Sequence, residues 1–226
     1  IVRDRHGAEY RSILESLCPD GLDGRSLGRF DQGLYGCSEM FVNGFLRLIE
    51  AGIIRREVFN DVTLQTLLNT GAIADAKVTP ATLKALLDAG RIHSPLTQAD
   101  LDFLTRFGIF KPGVALKGDH LVFDGVPLPN DLRGEAQFDA VCKILLGARL
   151  QGGIFMTGGF FIGPRDFYER LRTMPPQELA HIDMTRIDFI NQLYGSEDLK
   201  RAQRVKARFM NTTMIATLGG AMVSDA

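Results

Sequence analysis

The chain has 226 residues, with 26 Lys+Arg against 27 Asp+Glu and a formal net charge of -1. That balance argues against a nucleic-acid-binding surface and against attraction to anionic membranes. Hydrophobic residues at 45% and charged residues at 23% exclude global disorder, and no apolar run approaches the roughly 20 residues of a membrane helix.

Residues 1–17 read as a short strand followed by a helix, and Pro19 to Arg25 as a loop by its turn residues. Gly33 to Cys37 is an extended, glycine-punctuated piece. Phe41 to Ala51 has helical spacing, with Phe41, Phe45, Leu48 and Ile49 on one face, Ser38 as the expected N-cap and Gly52 at the end. Residues 60–110 predict helices, in which 63–71 resembles 82–90 and 100–108 is a looser copy. These form either a small solenoid or three separate amphipathic helices that each end at glycine; the second is the plainer reading. Thr79-Pro80 supplies a cap and a first-turn proline, and Thr97 caps the third helix.

Val114 to Phe123 predicts a hairpin around Lys117-Gly118-Asp119, and Pro127 to Gly134 a polar linker. Ala136 to Leu150 predicts a helix with Phe138, Val141, Ile144, Leu145 and Ala148 inward. Ile154 to Met156 reads as a short buried strand, and Gly163-Pro164 opens a helix through Arg172. Arg186 to Ile190 reads as a strand, Glu197 to Lys206 as a charged surface helix, and Phe209 to Leu218 as a last strand. Strands alternating with helices at both ends predict an α/β fold, with a largely parallel or mixed sheet flanked by helices. Residues ~56–150 read as a mainly helical insertion within it.

Three scattered cysteines, Cys18, Cys37 and Cys142, suggest neither a disulfide framework nor a zinc ribbon, and the expected compartment is the reducing cytoplasm. The four histidines, His6, His93, His120 and His181, show no paired ligand spacing, so no metal is expected. Gly158 to Arg165 has the glycines of a phosphate loop but Pro164 and Arg165 in place of its Lys-Ser/Thr, so a tight strand-to-helix turn is the better reading. Lys200, Arg201, Arg204, Lys206 and Arg208 read as a solvated helix face partnered by Glu197 and Asp198, or as contacts for ligand phosphates. Glu39 lies where an extended piece meets a helix start. Free amides there favour an ionised carboxylate, and Gly36 and Ser38 leave room for a ligand. A carboxylate so placed serves as a nucleophile or simply stabilises the helix.

The run Gly33 to Phe41, followed by Gly44 to Ile53, resembles the signature of the acetyl-CoA hydrolase/transferase family in its C-terminal half. Gly153 to Tyr168 resembles that family's strand–glycine–helix unit. Arg186 to Asn191 resembles the strand that ends in an active-site asparagine, and Phe209 to Thr213 the strand that follows. The likeness covers residues ~1–55 and ~150–226, and ~56–150 resembles the insertion of a longer subgroup.

The resemblance implies a CoA-transferase-like fold and a covalent glutamyl-CoA thioester on Glu39, with Asn191, Ser38, Gly36 and Asn211 around the substrate. The substrates it implies are an acyl-CoA and either a small carboxylate or water, with no permanently bound cofactor and with homo-oligomers expected. Whether the enzyme is a hydrolase or a transferase stays open. The alternative is a catalytically incomplete CoA-binding or protein-interaction module. Both chain ends read as cut points of a longer protein. The family's N-terminal half and its downstream glycine-rich loop would then complete the site.

Overall fold

The computed structural model describes residues 32–192, 194–207, 209 and 214–223. The elements expected over 1–25 lie outside them. Gly36–Phe41 forms β1 and pairs in parallel with β5, Met156–Phe161, with Gly36 opposite Met156 and Phe41 opposite Phe161. β5 pairs in parallel with β6, Ile182–Met184, so the sheet order is β1-β5-β6. Parallel neighbours need long crossovers. The whole middle of the chain joins β1 to β5, and helices α6 (Arg165–Thr173) and α7 (Pro176–Leu179) join β5 to β6.

The ladder corrects one expectation. Pairing with β5 runs through Phe41, so Ser38 lies inside the strand and caps nothing. Extended Val42 is the N-cap, and helix α1 spans Asn43–Glu50. Its buried Leu46 joins Phe41, Ile54, Met156 and Phe167 in a core on this sheet. The rings of Phe41 and Phe167 stack with centroids 5.9 Å apart. Each such side chain contributes about 1.5–3 kcal/mol when removed from water.

The middle of the chain has its own core. Helices α2 (Val62–Thr70), α3 (Pro80–Asp88) and α4 (Gln98–Arg106) start at caps legible in the sequence. Asp61 accepts from the Leu64 amide at 2.9 Å, and Thr79 and Thr97 form capping boxes with Thr82 and Asp100. Gly71, Gly90 and Gly108 follow them at φ 77, 66 and 65, a left-handed turn that suits glycine. Leu64, Leu83, Leu86, Leu101, Leu104 and Phe110 are buried together between these helices.

Strands β2 (Ala115–Lys117), β3 (His120–Phe123) and β4 (Val126–Pro129) form an antiparallel sheet. The expected linker from Pro127 is therefore strand at its start, because Leu128 faces the core and the pairing His120–Pro129 fixes it. Buried Asn130 then ties the chain down, accepting from the Leu96 amide at 3.0 Å and donating to its carbonyl at 2.9 Å. Helix α5 spans Glu135–Leu145, shorter than expected, because Leu146 turns extended to bridge Phe110. Val58 bridges Ile154 antiparallel, so the two ends of this stretch run side by side.

From β5 onward three readings change. Gly158 and Gly159 lie inside the strand, not in a turn. Arg186 to Ile190 is not a strand: Ile187–Asn191 forms a single helical turn, α8, and the strand precedes it. A short apolar run does not distinguish the two by period. Of the expected strand at 209–218, Ile215–Ala216 forms β7 and pairs antiparallel with β8, Met222–Val223. Helix α9 spans Glu197–Gln203. The molecule is thus mixed α/β, with a parallel three-stranded sheet and antiparallel sheets flanked by helices.

Candidate functional site

Glu39 stands in the interior of β1, three residues before the helix cap at Val42, and not in a helical first turn. A strand turns successive side chains to opposite faces, so Glu39 shares its side with Cys37 and not with Ser38. Glu39 is exposed, and the Asn191 Nδ2 donates to its Oε2 at 2.8 Å. The structure thus brings together two of the residues named from the sequence.

The approach depends on Gly159. A Cβ there would lie 2.8 Å from the Glu39 carbonyl oxygen and 2.9 Å from Ile187 Cγ1. The missing side chain lets α8 lie down on the sheet, which carries Asn191 over Glu39. Asn191 is the last residue of α8, and its side-chain amide engages Glu39.

The other named residues stand elsewhere. Gly36 is buried, and a Cβ on it would strike Met156 Sδ, so its small size serves packing and not ligand access. Ser38 donates to the carbonyl of Met40 at 3.0 Å. Asn211 and Arg208 lie outside the described residues.

Behind Glu39 on the same side, Tyr35 donates to Thr157 Oγ1 at 2.8 Å and Arg204 Nη2 reaches Cys37 Sγ at 3.3 Å. Burial pushes the Cys37 thiol above its ordinary range, against the pull of the Arg204 charge, so it stays protonated near neutral pH. Burial, with Cys37 beside it, pushes the Tyr35 phenol up as well.

The basic helix departs most from its sequence reading. Lys200 is only 6% exposed, and Arg204 is half-buried and also donates to the Phe189 carbonyl at 3.4 Å. Glu197 accepts from the Gly195 amide at 2.9 Å, and the surrounding amides hold its carboxyl below the usual range. This face is therefore docked against α8 and β1. The chain's charge pattern gives no sign of that, because the partners are uncharged: the carbonyls of Phe189, Gln192 and Tyr194 and the Cys37 thiol.

Two clefts lie away from Glu39. One of about 680 Å³ opens between α3 and α5, lined by Lys84, Asp88, Ser94, Arg133, Glu135 and Phe138 among others. The second, about 490 Å³, lies between α2 and α3. His93 bonds Asp100 and His181 bonds the Gly153 carbonyl. Among the described residues no group of three or more His, Cys, Asp or Glu could hold a metal ion, and no helix is long and apolar enough to cross a membrane. Compared with known protein families, curated proteins and solved structures, the chain finds no match.

Proposed function

We propose that the chain carries the nucleophile of an acyl-CoA hydrolase or CoA-transferase, and that this nucleophile is Glu39. The observation that carries the reading is the carboxylate itself: exposed on a strand, with one oxygen held at 2.8 Å by Asn191. The family reading rests on the ordered sequence segments from Gly33 to Thr213. In the proposed reaction a Glu39 oxygen attacks the thioester carbonyl. The tetrahedral adduct collapses to a mixed anhydride and expels CoA thiolate. The thiolate then attacks the glutamyl carbonyl, releasing the first carboxylate and leaving CoA as a thioester on Glu39. An acceptor carboxylate takes the CoA in a transferase, and water frees it in a hydrolase. Dividing the transfer into covalent steps replaces one high barrier with lower ones. Asn191 holds the attacking group in one orientation, which is where much intramolecular rate advantage arises.

The test incubates the full-length protein with acetyl-CoA, traps with borohydride or hydroxylamine, and maps the label by mass spectrometry. The label is expected on Glu39, with turnover lost in Glu39→Ala. Full turnover in Glu39→Ala overturns the reading. A second reading, a CoA-binding or docking module without turnover, is favoured by one observation: both clefts lie away from Glu39. Acyl-CoA hydrolysis measured with and without acetate separates hydrolase, transferase and silent binder.

A further inference from the structure

Lys200 is a charged side chain taken almost wholly out of water. Its Nζ donates to two backbone carbonyls, Gln192 at 3.0 Å and Tyr194 at 3.2 Å, and stands 5.0 Å from the centre of the Phe189 ring. Those three residues bracket Asn191. Arg204 also donates to the Phe189 carbonyl at 3.4 Å and Ile187 rests against Gly159, but α8 has five residues, none of them buried, and Gln192 is already extended. A single helical turn is not stable alone. A buried ammonium is tolerated only when its donors are satisfied, and the carbonyls past a helix end equally need donors. Each therefore fixes the other.

The far end of the same helix is anchored in the other core. Gln203 Nε2 donates to the Phe59 carbonyl at 3.1 Å and to Asn60 Oδ1 at 2.8 Å. Arg56 Nη1 donates to the Gln203 carbonyl at 2.9 Å, and Asn69 Nδ2 to the Ala202 carbonyl at 2.7 Å. Helix α9 is thus a strut between the 56–150 stretch and the turn that presents Asn191.

We propose that Lys200 is a positioning residue, which fixes the turn that sets Asn191 against Glu39 and, through Gln203, refers that setting to the helical insertion. Only the kinetic consequence rests on Glu39 being the nucleophile; the geometric part stands without it.

The test uses the full-length protein with labelled asparagine side chains, the Asn191 carboxamide signal being assigned by its loss in Asn191→Leu. In the wild-type background Glu39→Gln shifts that signal. In the Lys200→Met background the signal is already displaced, and adding Glu39→Gln is expected to move it no further, while the Leu83 and Leu104 methyl signals stay in place. In acyl-CoA assays Lys200→Met lowers kcat by about 10²-fold, the effect of a misplacement near 1 Å, with KM unchanged, and Lys200→Arg restores part of it. A Lys200→Met chain in which Glu39→Gln still shifts Asn191 overturns the proposal. Should Lys200→Met fail to fold, Gln203→Ala is the second variant: it must displace the same signal, and an undisturbed signal likewise overturns the proposal. Lost coupling in a protein without acyl-CoA turnover supports the positioning role and removes the nucleophile reading instead.

Discussion

Asn191 donates through Nδ2 to Oε2 of Glu39 at 2.8 Å, across 152 residues of sequence. Both side chains are exposed. A hydrogen bond in that setting adds only about 0.5–1.5 kcal/mol net, so its consequence is orientation more than stability. Asn191→Leu is therefore expected to change unfolding free energy by no more than about 1.5 kcal/mol. On the proposed reaction, turnover of acyl-CoA should nonetheless fall by about 10²-fold. Urea titration and steady-state assays on the same samples check both halves. A loss of several kcal/mol would make the contact structural.

Gly159 is the position where one methyl group should separate that pair. Its missing Cβ leaves room for the Glu39 carbonyl and for Ile187 Cγ1, both under 3.0 Å from where the methyl would sit. Gly159→Ala must push α8 off the sheet or part β5 from β1. The expected destabilisation is about 1–3 kcal/mol, as for other overpacked sites. Unlike Asn191→Leu, it should lower stability and turnover together. A Gly159→Ala chain of unchanged stability would mean that α8 does not bear on β5 in solution.

What was legible in the sequence follows from how local each determinant is. Thr79-Pro80 and Thr97 announce helix starts because a cap acts within three residues. Ser38 misleads because the neighbouring strand, far away in sequence, takes its backbone into a ladder. Arg186 to Ile190 reads as a strand because five residues carry no usable period, whereas Ile187–Asn191 is a helical turn. Glu39 and Asn191 were named together through family resemblance, and no spacing rule links them. Gly158-Gly159 did carry a signal, a close approach, but its partner was not knowable locally. Lys200 sits in a run of charges, and although its carbonyl partners lie only eight and six residues back, no charge or period in that run marks them.

The two buried clusters have no residue in common. Leu104, fully buried among the helices of the middle stretch, should cost about 2–5 kcal/mol when cut to alanine, and Phe167 on the sheet side about 3–5 kcal/mol. Hydrogen exchange should place the damage differently. Leu104→Ala is expected to speed exchange in α2 to α4, and Phe167→Ala in β1, β5 and α6. Equal acceleration in both regions from either change would show a single cooperative unit instead.

Asp100 gives the fold a dependence on acid. Burial alone would raise its carboxyl, but donation from the Thr97 amide at 2.9 Å and hydroxyl at 2.8 Å, with His93 on the other side, outweighs this. The folded group is held below the ordinary carboxylate range. A depressed folded value means the contribution is complete above the unfolded pKa of about 3.9 and disappears as pH falls through the folded one. Removing the charge removes a capping-box acceptor at the start of α4, which is worth about 1 kcal/mol. Asp100→Asn is accordingly expected to be less stable than wild type at pH 7 by about that amount. The gap should narrow steadily below a pH of about 4, because only the wild type then loses its carboxylate. Urea unfolding of both chains from neutral to acid pH measures it. A gap that widens in acid would show that this carboxyl is not stabilised in its charged form.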